Sequence, residues 1–306
     1  MKGFVFLLAV LLYTLSAGAQ NDTAQAGKKI ITLSTVVIEK NMNVPAFIER
    51  IKNDSSFYKA FRNLHIISFS AVNDVRMLNK DGSLQAGLYS KTRQLRKDNC
   101  RTMSIEEEKV TGDFYDADGS YNYYTAQMYA SLFFTRGIVC GEDNIVAGRE
   151  FSAAGKSGME KHKEQLKMLF FNPGKKINGL PFMSNKTAIY EDDMADKYDM
   201  SIDMEERNNH NCYVFRQKVK PGKGDGVVVD EMVTWFDEHT YEVVARNYSL
   251  SYDAAFYDFK VDMEVQMTTF DGLTIPSVIR YNGNWKAVTK KRERGIFTAT
   301  LSGFHR

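Results

Sequence analysis

Two periodicities divide this chain. From Tyr257 to Thr268, Tyr257, Phe259, Val261, Met263, Val265 and Met267 alternate with Asp258, Lys260, Asp262, Glu264, Gln266 and Thr268. Successive side chains of a strand point to opposite faces, so this alternation predicts a strand with one apolar and one wet face. Tyr198, Met200, Ile202 and Met204 alternate in the same way with Asp199, Ser201, Asp203 and Glu205. Ile67, Phe69, Ala71, Val75 and Met77 share one parity, against Ser68, Ser70, Asp74 and Arg76. Lys80-Asp81-Gly82 then predicts a hairpin, because Asp-Gly supplies the positive φ angles of a tight turn, and Leu84, Ala86 and Leu88 resume the alternation. The region 101–118 continues the sheet. Further strands are predicted at 212–219, 226–236, 242–251, 273–281, 284–290 and 295–304, with turns at Pro221-Gly222, Asp271-Gly272 and Asn282-Gly283.

The second period is helical. Pro45 suits a first helical turn, and Phe47, Ile48 and Ile51 follow at helical spacing. Asp54 or Ser55 can cap a continuation carrying Phe57, Tyr58 and Phe61, which gives a helical segment near 44–63. The aromatic stretch Tyr121–Phe134 reads as helix or strand, and a buried helix near 121–135 is the expectation. A third helix is expected near 157–171, with Ser157 and Glu160 as a capping box and Asn172-Pro173-Gly174 as its stop. No βαβ rhythm appears. The expected fold class is α+β and mostly β: a curved, half-barrel-like antiparallel sheet packed against a few helices.

The N-terminus changes the picture of where this domain works. Lys2, the apolar run Phe4–Leu15 and the small residues Ala17 and Ala19 have the layout of a secretory signal. The run is about twelve residues, short of the roughly 20 a spanning helix needs. The expectation is a signal peptide at 1–19 and a single β-rich domain at 20–306. The residue after the cut is Gln20 rather than Cys, so no lipid anchor is expected there, and no transmembrane segment is expected after cleavage. The implied setting is the periplasm or cell envelope. With 40 Lys+Arg against 38 Asp+Glu, the chain lacks the basic excess of a general nucleic-acid binder. Its 20 Phe, 16 Tyr and 2 Trp, with only 5 Pro, suit broad half-buried sheets rather than disorder.

Three cysteines occur, so this is no disulfide scaffold. In an oxidising compartment one pair can bridge. The expected pair is Cys100 with Cys140, each beside turn-like residues, leaving Cys212 reduced. Three unpaired buried thiols is the alternative.

Candidate chemistry is sparse. Gly155-Lys156-Ser157 resembles the end of a phosphate-binding loop, but the preceding glycine is Gly148, at the wrong spacing, and a helix cap accounts for it. Asp113, Asp116, Asp118 and Gly119 lack the later bidentate Glu of a calcium loop, so a β-turn is expected. Glu191-Asp192-Asp193 with Asp196 reads as a solvated loop. His210 and Cys212 share one strand face without two further ligands nearby, and no metal site or cofactor is expected. Neither a Gly-x-Ser-x-Gly elbow nor a His-Glu-x-x-His helix is present, so no catalytic residue is assigned. A hydrolase with a carboxylate pair stays open as a minor alternative. Lys290-Lys291-Arg292-Glu293-Arg294 reads either as a solvated hairpin turn or as a contact for lipid phosphates.

The stretches FYKAFRNLHIISFSA, CRTMSIEEEKVTGDFY, LFFNPGKKINGLPF and NWKAVTKKRER resemble a group of uncharacterised exported Bacteroidota proteins. That resemblance implies an envelope setting and no activity. Thr234-Trp235-Phe236-Asp237, followed after a short gap by Val243-Val244-Ala245-Arg246, is similar to the Trp-x-Asp turn of the lipoprotein-carrier superfamily. That resemblance implies a curved half-barrel over helices. A sheet with one apolar face under helices can enclose an apolar cavity, and methionines make such a cavity adaptable. The same face can equally be a filled core. The expectation is a non-enzymatic carrier or chaperone whose partner is a lipid or lipidated protein, with Phe259, Met263 and Met267 lining the site and Trp235 and Trp285 at its mouth. The alternative is an interaction module that docks an envelope protein.

Overall fold

The computed structural model describes residues 23–26, 29–32, 35–36, 43–146, 168–169, 171–177, 185–253, 257–287 and 291–306. The expected signal peptide at 1–19, the Gly155-Lys156-Ser157 motif and most of the expected helix at 157–171 lie outside these residues. In chain order the strands are β1 (Thr23–Ala26), β2 (Lys29–Thr32), β3 (Thr35–Val36), β4 (Ser68–Leu78), β5 (Leu84–Lys97), β6 (Cys100–Thr111) and β7 (Val139–Cys140). They continue with β8 (Tyr198–Arg207), β9 (His210–Val219), β10 (Val229–Asp237), β11 (Val243–Asp253), β12 (Tyr257–Phe270), β13 (Leu273–Ala287) and β14 (Glu293–His305). The helices are α1 (Val44–Asn53), α2 (Ser56–Asn63), α3 (Tyr124–Phe133) and the short α4 (Asp192–Ala195).

Among the described residues, twelve strands form one sheet in the order β3-β8-β9-β10-β11-β12-β13-β14-β4-β5-β6-β7. Only β3–β8 is parallel. The end strands β3 and β7 do not pair with each other, so the sheet is not closed into a barrel. It is a meander whose last strand returns to β4. Tight turns explain the meander: Asp98-Asn99, Asn208-Asn209 and Asp271-Gly272 all hold positive φ, as two-residue hairpins require. At the β4–β5 turn, Gly82 has φ +85° and Asp81 accepts from the Ser83 N–H at 3.0 Å.

The pairing registers place one residue from each strand in rows across the sheet. One row runs Phe215, Thr234, Arg246, Val265, Ile279, Ala299, Asn73, Ser90. This face carries the main core. The helices lie on it because their apolar stripes fit its aromatics. Phe47 of α1 sits among Phe236, Phe215, Tyr213 and Tyr241, with ring centroids 5.5–6.0 Å apart. Phe57 of α2 meets Tyr248 edge-on, and Asn63 donates to the Thr274 carbonyl at 2.7 Å. Tyr129 of α3 packs on Phe297 and donates to Asn73 Oδ1 at 2.6 Å. Asn73 in turn donates to Ser90 and Thr92, so the polar cluster under α3 is mutually satisfied. Each buried aromatic contributes roughly 1.5–3 kcal/mol of transfer free energy.

One expected turn does not exist. Asn282-Gly283 lies within β13, which pairs along its length with β12 and, from Val278 to Trp285, with β14. Gly283 has no positive φ. It is glycine because the Tyr281 ring lies where its Cβ would be, 1.9 Å from Oη and 2.1 Å from Cζ. Aromatic cover of an in-strand glycine replaces turn geometry here.

The opposite sheet face carries a smaller cluster of Cys212, Val214, Val233, Trp235, Val244 and Ala245. At one margin, Cys100 and Cys140 lie opposite each other across β6–β7 and are joined by a disulfide, while Cys212 is free and buried. Beyond Arg101, β6 has no second neighbour among the described residues. Glu106, Glu107, Glu108 and Lys109 occupy that edge, and such charges discourage pairing with another strand.

Candidate functional site

Phe259, Met263 and Met267 sit on the helix-covered face of β12 and are buried in the main core. Their side chains are packed among neighbours rather than facing open space. Trp285 stands at the end of this row: it pairs with Phe259 of β12 and with Glu293 of β14. Its Nε1 donates to Thr125 Oγ1 at 2.8 Å, and its ring meets Tyr124 at 4.8 Å. Trp235 is not part of this group. It belongs to the cluster on the other face, donates from Nε1 to Glu205 at 3.0 Å and carries the Arg207 guanidinium 4.0 Å above its ring. Parity within β10 puts its side chain opposite to Phe236 and the core, and the bulge at this point, Val244, lies on the neighbouring strand β11.

At Glu293, the cross-strand partner of Trp285, opens a cleft of about 430 Å³. Lys291, Arg292 and Arg294 line it, with Asp113, Tyr123 and Met77. The basic run therefore meets the N-terminus of α3. Glu293 is withdrawn from the cleft's charge balance, because it accepts from the Tyr124 N–H, the Thr125 N–H and the Thr125 hydroxyl, each at 2.8 Å. A carboxylate here offsets the helix's unpaired N–H groups and its positive end. Thr125 thus links Trp285 to Glu293. Arg292 is held by Asp258 and by Asn284 at 2.9 Å. Tyr123 donates to Asp113 at 2.5 Å, and burial of its ring raises its pKa. Lys291 and Arg294 form no ion pair with any described residue. The site offers Lys291 and Arg294, without an ion pair among the described residues, beside the Tyr123 ring and Met77, an arrangement suited to an anionic group attached to apolar matter.

The other candidate motifs are structural. Asp116 accepts from the Asp118 and Ser120 N–H groups and so builds a turn. Part of the acidic run forms α4. His210 pairs with Asp237 at 2.8 Å at the surface, while burial pushes the Cys212 thiol up to about 11. Among the described residues no three His, Cys, Asp or Glu side chains are grouped to hold a metal. Sequence reasoning assigned Asp113 to a turn and missed Tyr123, both of which lie far along the chain from the basic run. It also missed Arg246, although Arg246 shares the apolar parity of Tyr248, Leu250 and Tyr252 and was visible on that ground.

No protein-family model and no curated protein matches the chain. Solved structures with some similarity include a DUF1329 family protein from Desulfovibrio piger, at 14% identity over 81% of this chain and 91% of that one, TM-score 0.26. A domain assigned to outer membrane lipoprotein sorting from Vibrio parahaemolyticus aligns at 10% identity over 81% and 88%, TM-score 0.27. Lipovitellin, from a structure of lipid–protein interactions, aligns at 9% identity over 78% of this chain and 25% of that one, TM-score 0.28. At such TM-scores these likenesses carry no argument about what the chain does.

Proposed function

We propose that this protein is a non-enzymatic binding protein of the cell envelope that engages an amphiphilic, lipid-type partner at the cleft beside Glu293. The observation that carries the reading is that Lys291 and Arg294, which form no ion pair with a described residue, line one cleft with Tyr123, whose chain neighbour Tyr124 packs on Trp285. Clustered cations each contribute about 1 kcal/mol toward an anionic lipid surface, and an amphipathic indole favours the headgroup boundary. The signal-like N-terminus supports the envelope address. Co-sedimentation of the 20–306 chain with phosphatidylglycerol vesicles and with neutral phosphatidylcholine vesicles tests it. The expected result is retention on the anionic vesicles only, lost in the Lys291→Glu/Arg294→Glu variant. Equal retention on both vesicle types, or an unaffected double variant, would overturn it. A second reading, an interaction module, is favoured by the unpaired edge of β6. Protection of the Thr102–Thr111 amides from hydrogen exchange by envelope extract would support that reading, and unchanged exchange would remove it.

A further inference from the structure

The main core contains a cation, Arg246, that no described carboxylate touches. Arg246 of β11 faces the helices and is 5% exposed. Its Nε donates to Thr234 Oγ1 at 2.9 Å, and its guanidinium lies 4.3 Å above the Phe57 ring. Neither terminal nitrogen donates to a described residue, and no described carboxylate touches the group. Lys175 belongs to the same cluster. Its Nζ donates to the Ile51 carbonyl at 3.1 Å and to the Lys52 carbonyl, capping the end of α1, and lies 5.9 Å from the Tyr190 ring. An ammonium has three donors, so one remains. Burial, with the Arg246 charge adding to it, lowers Lys175 to about 8. Asp54 is the carboxylate that favours both cations, and it already accepts from the Ser56 N–H at 2.8 Å. Next to them, Gln217 donates to the Tyr190 hydroxyl at 3.3 Å while its Oε1 is buried without a partner.

Among the described residues, buried Arg246 and half-buried Lys175 face one half-buried carboxylate, Asp54, which leaves one positive charge. Buried charges are ordinarily paired, since desolvation is not recovered otherwise. A threonine hydroxyl and a phenyl face do not supply that compensation. An anion of charge −1 would balance the cluster, whereas a phosphate dianion would leave it negative. A carboxylate also matches the fork of the free guanidinium nitrogens. The neighbours of Arg246 across the sheet and above it, Val265, Phe57 and Tyr248, are apolar or aromatic and suit a hydrocarbon substituent.

We propose that Arg246, assisted by Lys175, is an internal receptor for one monovalent carboxylate, the head of a fatty acid or a small organic acid. This site is separate from the basic cleft. Along β12, the partner of Arg246 (Val265) and the partner of Trp285 (Phe259) are six residues apart, about 20 Å of strand. The proposal extends the amphiphile reading but does not depend on the vesicle result, because the two assays read different residues.

Calorimetric titration of the 20–306 chain with sodium decanoate, sodium acetate and 1-decanol tests it. Decanoate should bind about 10–100-fold more tightly than decanol, the ratio expected of a charge-assisted contact. Arg246→Met, which keeps the length of the side chain, should remove that preference. Acetate binding as well would identify a small-acid site, and decanoate binding alone a fatty-acid site. Equal affinity for decanoate and decanol, undiminished decanoate binding by Arg246→Met, or no carboxylate binding would overturn it. Should Arg246→Met fail to fold, carboxyl-13C decanoate on the wild type decides. A bound carboxyl that stays ionised to lower pH than free decanoate supports the receptor, and an unshifted titration refutes it.

Discussion

Replacing Gly283 with alanine separates two explanations of the same residue. At a hairpin turn, glycine would be required for positive φ, and alanine would cost through backbone strain. In β13 the backbone tolerates any residue, and the obstacle is the Tyr281 ring, 1.9–2.6 Å from where the new Cβ would sit. That ring is 2% exposed and stacked on Phe297, with centroids 4.7 Å apart and planes 4° from parallel, so it cannot swing out without leaving the core. Relieving the overlap moves the ring by about 1.5 Å, an overpacking cost of roughly 1–3 kcal/mol. Alanine recovers about 0.5–1 kcal/mol over glycine in a strand interior. The expected net loss is about 1–2 kcal/mol. Tyr281→Ala alone should cost roughly 3–5 kcal/mol through its cavity. In that background Gly283→Ala should become neutral or slightly stabilising, giving a coupling of about 2–3 kcal/mol. Urea unfolding followed in parallel by tryptophan fluorescence and far-ultraviolet circular dichroism measures all four proteins. The same cost in both backgrounds would point to backbone strain and refute the steric account. So would a change within about 0.5 kcal/mol in the otherwise wild-type protein.

The Cys100–Cys140 bond closes a sequence separation of 40, so the Cys100→Ser/Cys140→Ser variant should lose about 4 kcal/mol, chiefly by freeing the unfolded chain; an unchanged urea midpoint would contradict this. Acid should loosen the same margin. The His65 hydrogen bond and Arg101 hold Glu142 down to about 2 against an ordinary value of 4.5, and burial lowers His65 below 6.5. Both groups bind fewer protons folded than unfolded, so stability falls as pH drops from about 6.5 toward 2, and Glu142→Gln should flatten the lower part of that curve in pH-dependent unfolding. The chain has two tryptophans. With brominated anionic vesicles, Trp235→Phe should retain fluorescence quenching and Trp285→Phe should lose it; quenching that follows Trp235 instead would displace the site to the other face.

Local chemistry settled much of this protein before any tertiary contact was known. The alternation through 257–268 specifies a two-faced strand because side chains point to opposite sides at every step. Gly82 and Asp271-Gly272 hold the positive φ of their turns because glycine and aspartate themselves tolerate that conformation. The helical stripe from Phe47 to Phe61 identifies a buried face, since residues three and four apart lie together. Tertiary structure alone decided what depends on a neighbour from elsewhere in the chain. Asn282-Gly283 has the composition of a turn and is strand because Tyr281 and two flanking strands hold it extended. Trp235 and Phe259 look equivalent in sequence, but the registers of their strands place them on opposite faces. Parity exposed Arg246 as a cation on an apolar face. That no described carboxylate meets it could be known only once Phe57, Thr234 and Asp54 were brought around it, because compensation of a buried charge is a matter of distance in space.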